Sequence, residues 1–236
     1  MSQFNVYDIF GYLLPGAVVV VVCLAAFSQY VPISLQPTLG ESAVLIVVCY
    51  IVGHFLRASI ADKIKAVRPS EDILSAGNRT FTEEIKSQIG DGLVSIFSAP
   101  SSRSYSLTND QQQYFNLAYA LIVQKNAAGY TPIYNSLYAL YRGLLAASGL
   151  SSVIVIVSFS FSLCSGPDFQ RVILHLLSFV VLGYLTWGVP FRNKKSPLRT
   201  QFDKYSELFA ASVYRNFLVW YQTRDASSDP GSPTAV

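Results

Sequence analysis

The stretch Tyr7–Tyr30, YDIFGYLLPGAVVVVVCLAAFSQY, decides how the chain is read. It is either a signal peptide that is removed or a membrane span that is kept. A signal peptide carries a cationic leading region and ends in a small-residue cleavage site. Residues 1–10 hold no Lys or Arg, and their one charged side chain is Asp8. The stretch closes on Ala-Ala-Phe-Ser-Gln, a poor cleavage motif. The apolar run Gly11–Phe27 is 17 residues, the short end of a membrane span. Tyr12 and Tyr30 flank it and suit the two membrane–water interfaces. We read it as a retained span.

The rest of the chain agrees. Of 236 residues, 51% are hydrophobic and 13% charged, about half the ~25% charged of a soluble domain. The apolar residues cluster in three further runs without charge: Ser42–Leu56, Gly143–Cys164 and Val172–Val189. Ser42–Leu56 has 15 residues, and Leu39 and Gly40 lengthen it while Arg57 snorkels. The expectation is an all-α polytopic membrane protein with four transmembrane helices. Residues 1–56 form a first hairpin with spans at about 11–29 and 40–56, and residues 143–190 a second with spans at about 143–164 and 172–189. Of the 17 Lys and Arg, nine lie from Arg57 to Arg142, seven follow Val189, and Arg171 alone lies between spans three and four. The positive-inside rule then puts 57–142, the C-terminal tail and both chain ends in the cytoplasm.

Residues 57–142 are too long for a structureless loop and read as a helical cytoplasmic insert. Ile60, Ile64 and Val67 continue span two to a stop at Pro69. Thr80 and Glu83 form a capping-box pattern before Phe81, Ile85, Ile89, Leu93 and Phe97, an amphipathic face despite Gly90 and Gly92. Its polar side sets Glu83, Glu84 and Asp91 against Lys86, which favours packing on protein over anionic lipid. A helix with Tyr114, Leu117, Leu121 and Lys125 on one side follows. Pro132 then opens a long helix into span three, with Tyr134, Tyr138 and Tyr141 as a candidate surface for a cytoplasmic protein partner. Residues 191–222 hold a basic juxtamembrane cluster, Arg192–Arg199, and a helix capped by Thr200 with Phe202, Tyr205, Phe209, Val213, Asn216 and Trp220 on one face. Its place beside the membrane explains the cluster without nucleic acid. Residues 223–236 read as a disordered tail.

Motifs for catalysis are missing: no P-loop, G-x-G-x-x-G, H-E-x-x-H or G-x-S-x-G occurs. Both histidines, His54 and His175, lie in spans without a His, Asp or Glu at helical spacing. We expect them to be neutral interhelical hydrogen-bonders, and we expect neither a cofactor nor a metal. Cys23, Cys49 and Cys164 all fall in apolar runs and read as small packing residues. In span three, Ser158 and Ser162 are four apart and Ser151 lies seven before Ser158. That face suits helix packing, or the lining of a narrow pore in an oligomer. Pro15-Gly16 marks a bend or a close-packed spot.

The opening YDIFGYLLPG, the GHFL that closes span two and the VYRNFLVW of the tail resemble small multi-pass bacterial inner-membrane proteins of the kind encoded among phage-defence genes. The resemblance implies a bacterial inner membrane and a role in antiphage defence by sensing or damaging the membrane. It carries over no catalytic residue.

Two functional readings follow. One is an oligomeric effector or channel-like protein that alters membrane permeability on a cytoplasmic signal. Its motive is the serine-bearing third span, the tyrosine-striped helix that runs directly into it and the missing catalytic set, while more apolar helix surface in the insert than one copy covers points to the oligomer. The other is a non-conducting sensor or scaffold that recruits a cytoplasmic partner through Tyr134, Tyr138 and Tyr141. A lipid-acting enzyme, a third class, would need His54 or His175 as its base. The topology has a direct test in a background with the three native cysteines replaced by Ala. A cysteine at Gln36 should label from outside the cell and one at Ser102 only from the cytoplasm. Labelling of Gln36 from the cytoplasm alone would overturn the arrangement.

Overall fold

Proline cannot donate a backbone hydrogen bond inside a helix. The chain meets Pro15 with a π-helical turn, Ile9–Leu13, that runs directly into α1, Leu14–Ala26. In this computed structural model the described residues are 8–28, 38–60, 64, 73–74, 78–97, 111–164, 169–187 and 196–228. Most of them are helical, with no strand among them: α2 (Leu39–Ser59), α3 (Glu83–Phe97), α4 (Gln111–Gln124), α5 (Thr131–Cys164), α6 (Phe169–Trp187) and α7 (Pro197–Ser228) follow α1. Tyr30, Gln36, Pro69, Ser102, the cations Arg192–Lys195 and residues 229–236 lie outside the described residues.

Ile9–Ala26, α2 and α5 are each long and apolar enough to cross a membrane, at 18, 21 and 34 residues. The fourth expected span is shorter. The apolar part of α6 is Val172–Thr186, about 22 Å of helix against a hydrocarbon core of about 30 Å. Helix starts also differ from the sequence reading. α2 opens on a capping box in which Thr38 and Glu41 bond each other's backbone N–H groups. Thr82, not Thr80, accepts from the first turn of α3, and Thr80 Oγ1 donates instead to Glu207 at 2.8 Å. Ser196 caps α7 by accepting from Arg199 N at 3.0 Å. Thr200 sits inside that helix and bonds back to the Ser196 carbonyl. α7 continues to Ser228, past the Gln222 where the sequence reading ends it.

The chain divides into two compact units, Met1–Lys65 with Ser136–Lys204, and Ala66–Asn135 with Tyr205–Val236. In the first, α1 and α2 cross at glycines. A Cβ on Gly16 would overlap the Cys49 carbonyl oxygen, and one on Gly53 would overlap the Tyr12 carbonyl oxygen. Each helix therefore lies against the other's backbone, the close approach that small residues permit. A Cβ on Gly143 of α5 would sit 2.5 Å from Pro15 Cγ, so the Pro15-Gly16 pair is a three-helix contact. Val19, Leu56, Ala146 and Ala147 are buried around it. Large apolar side chains point away, among them Val47, Ile51, Phe55, Ile156, Phe161 and Val180. Small residues inside and large ones outside are the packing of helices in lipid. In water such a surface would be an aggregation liability.

The second unit is built the usual way round. Phe81, Ile89 and Leu93 of the α3 segment, Phe115 and Ile122 of α4, and Val213, Tyr214 and Phe217 of α7 share one buried core. The inward face of α4 is turned from the expected one: Tyr114, Phe115, Ala118 and Ile122 are buried, while Leu117 and Lys125 are exposed. The Phe115 ring decides this by meeting Phe209 and Tyr214 edge-on at 5.6 and 5.7 Å. Gly92, which interrupts the α3 pattern, lets Phe217 and Tyr221 approach to 3.3 and 3.2 Å of where its Cβ would be. Burial pushes the Tyr214 phenol well above its ordinary pKa. The aromatic faces of α3, α4 and α7 thus cover one another within one chain.

The glycine crossing yields a discriminating test. Gly16→Ala and Gly53→Ala should each lower stability by about 1–3 kcal/mol or more through overpacking. Gly149→Ala, which meets nothing within 4 Å, should gain up to ~1 kcal/mol from helix propensity. Thermal unfolding in detergent compares the three. Equal effects at all three sites would contradict the crossing.

Candidate functional site

Polar side chains on apolar helices are the candidates for chemistry in the first unit. On α5, Ser148, Ser151, Ser152, Ser158 and Ser162 are all buried. They form one face at helical spacing, opposite the exposed Val153, Ile156, Val157 and Phe161. The sequence places Ser151, Ser158 and Ser162 together, and the structure turns that face inward against the chain's own helices.

Ser158 and His175, 17 residues apart on α5 and α6, come together. Ser158 Oγ donates to the Ala26 carbonyl oxygen at 2.7 Å and lies 2.9 Å from His175 Nε2. Ala26 is the last residue of α1, where helical carbonyls lack intrahelical donors. A hydroxyl has one proton. With that proton on Ala26, the imidazole must carry hydrogen on Nε2 and donate to Ser158 Oγ. The chain runs His175 to Ser158 to Ala26, and it caps the end of α1 in an apolar setting. A nucleophilic serine needs the opposite polarity, with the imidazole accepting. It also needs free donors for an oxyanion. Ser158 is in the body of α5, where the backbone N–H groups are used by the helix.

A second polar contact repeats the theme. Thr186 Oγ1 on α6 lies 2.9 Å from Ser148 Oγ on α5. Ser151 and Ser162 are different, since their buried hydroxyls have no hydrogen-bond partner among the described residues. Beside His175 is a cavity of about 330 Å³ between α1, α5 and α6, walled by Val22, Ala26, Val155, Leu174 and Leu182 with Ser178 as a further polar group. Its lining suits hydrocarbon.

His54 is not part of this cluster. Its ring stacks on Tyr12 at 3.9 Å and 14°, and Tyr50 meets it edge-on at 4.6 Å. Arg57 Cζ lies 5.0 Å from the Tyr12 ring centre, so cation, tyrosine and imidazole form one cluster at the π-turn. The tyrosine stripe of α5 is half-buried at all three positions. Tyr138 stacks on Phe202 of α7 at 5.2 Å and 18°, with Arg142 Cζ 6.0 Å from its ring centre. Among the described residues no three His, Cys, Asp or Glu side chains converge as a metal site would require. Sequence reasoning singled out Ser158 and His175 separately and missed their pairing. The helix end at Ala26 that joins them leaves no mark in residue type.

Comparison with protein-family models, with curated proteins and with solved structures finds no match to the chain.

If the Ser158 hydroxyl caps α1, Ser158→Ala should destabilise the protein by about 1 kcal/mol, the cost of leaving a half-buried carbonyl without its donor. Ser160→Ala, at an exposed position of the same helix, should change stability by less than ~0.5 kcal/mol. Unfolding in detergent that cannot tell the two variants apart would refute the cap.

Proposed function

We propose that this protein is a non-conducting membrane sensor or scaffold. A four-span anchor, with α6 as the short fourth span, holds a helical cytoplasmic unit that receives a signal and presents it to a cytoplasmic partner. Both termini are cytoplasmic, and the setting is the bacterial inner membrane of the small defence-associated proteins the chain resembles. One observation carries this reading. The polar side chains Ser148, Ser158, His175 and Thr186 are engaged in contacts between apolar helices of one chain. A conduit needs such groups facing a continuous water path. An anchor needs them satisfied.

A second reading has its own support. The hydroxyls of Ser151 and Ser162, on the same face as Ser158 and without a partner among the described residues, are what an oligomeric, channel-like effector would use if its helices parted. Membrane potential followed with a dye during overexpression separates the two. The sensor keeps cells polarised, and Ser151→Ala and Ser162→Ala leave stability equal or higher, because an unsatisfied hydroxyl is removed. Depolarisation that these two substitutions reduce, with insertion unchanged, would overturn the sensor and favour the effector.

A further inference from the structure

The second unit carries a cleft that neither its core nor the anchor explains. It measures about 570 Å³ and is lined by Ile96, Leu121, Lys125, Trp220, Thr223 and Arg224. Trp220, Thr223 and Arg224 stand at i, i+3 and i+4 on α7, so the helix period places them side by side. Lys125 directly follows the last residue of α4, and Ile96 is the penultimate residue of α3. Three helices thus send residues of distinct chemistry to one place: an apolar floor, an aromatic wall and two cations.

Two of the six lining residues are cations, and Asp225 directly follows Arg224 on α7. No carboxylate is among the lining residues. α4 has no acidic residue, and the last acid of α3, Asp91, is five positions before Ile96. Arg224 Cζ lies 5.9 Å from the Trp220 ring centre, so one cation rests by an aromatic ring. Thr223 Oγ1 donates to the backbone, 2.9 Å from the Trp220 carbonyl and 3.0 Å from that of Val219, which leaves its oxygen able to accept.

Helix dipoles account for part of this. A cation at a helix C-terminus is stabilising, and Lys125 sits at one. The dipole requires neither a cleft nor an aromatic wall, and it does not require two cations to converge on one opening. The volume is within the range of small-molecule sites. A bare phosphate would meet the cations and leave Trp220, Ile96 and Leu121 unused.

Resting on the sensor reading, we propose that this cleft binds a nucleotide. The base lies against Trp220 and the Ile96–Leu121 floor, and the phosphate is held by Lys125 and Arg224. Aromatic and guanidinium faces stack bases, and paired cations bind phosphate oxygens with charge-assisted hydrogen bonds. The nucleotide is then the signal that the cytoplasmic unit receives.

The test uses the full-length protein in detergent. Trp187→Phe leaves Trp220 as the one tryptophan, and its fluorescence is followed on titration with AMP, GMP, CMP and UMP, with inorganic phosphate and with adenosine. At least one mononucleotide should give a saturable change. Phosphate and adenosine should each bind at least ~10-fold more weakly, a loss of about 1.4 kcal/mol. Lys125→Gln and Arg224→Gln should each weaken the nucleotide by about 10-fold and flatten its salt dependence, while thermal unfolding shows them folded. No saturable change with any mononucleotide at millimolar concentration would overturn the proposal. So would phosphate binding as tightly as the nucleotide, which leaves an anion site only. Absence of binding with cells still polarised removes the ligand and spares the sensor. Binding together with depolarisation removes the sensor and spares the ligand.

Discussion

Where α1 meets α2, neither residue 16 nor residue 53 has room for a single carbon beyond the backbone. The Cys49 carbonyl occupies the place of one Cβ and the Tyr12 carbonyl the place of the other. Much of the first unit follows from this contact. Helices that approach so closely bring their flanking rows together, which sets Val19 and Leu56 into one core with Ala146 and Ala147 of α5. Pro15, next to Gly16, turns its ring toward Gly143, so α5 must be small at that level as well. The π-turn before Pro15 belongs to the same arrangement. It carries Tyr12, whose backbone Gly53 needs and whose ring stacks on His54.

Close packing of apolar helices in lipid gains little from the hydrophobic effect, because lipid tails are as apolar as leucine. Shape and hydrogen bonds decide instead. The hydroxyls of α5 supply the second of these. Ser158 satisfies the end of α1 and receives from α6, and Ser148 meets Thr186 of α6. These bonds fix rotation and depth where packing alone tolerates sliding. They engage two of the five buried serines of α5, while Ser151 and Ser162 have no partner among the described residues.

Much of this was legible in the sequence, and the limits have physical causes. Charge-free runs of spanning length marked α1, α2 and α5, because hydrocarbon excludes charge whatever the neighbours do. Span four was marked by the same rule and came out short, its apolar part ending at Thr186. The inward faces of α4 and α7 were harder. Leu117 and Leu121 look like core residues, yet Phe115 and Ala118 are buried more deeply, because an aromatic ring with two ring partners outweighs a leucine stripe. On α7, Ala210 and Ala211 hold core positions that hydrophobic patterning credits to Tyr205 and Phe209. The Ser158–His175 pair was out of reach, since it depends on where α1 stops and on how α6 returns. Gly53 had no signal beyond its residue type.

Asn216 shows how a polar residue on an apolar face can serve the backbone of a neighbouring turn. By spacing it belongs with Phe209, Val213 and Trp220. In the structure its amide Nδ2 donates to the Ala128 carbonyl at 2.7 Å and to Thr131 Oγ1 at 3.0 Å, while Ser212 Oγ reaches Thr131 Oγ1 at 3.0 Å. The turn it holds joins α4 to α5 and contains the two described residues with left-handed backbone, Asn126 at φ 54° and Gly129 at φ 49°. Such a turn breaks both helices' hydrogen bonding and leaves backbone groups to be satisfied from elsewhere. Thr131, fully buried at the start of α5, could not be buried there without partners. One amide on α7 therefore fixes where α4 ends and α5 begins. An apolar residue of the same size at 216 would fill the space and leave the turn unsatisfied.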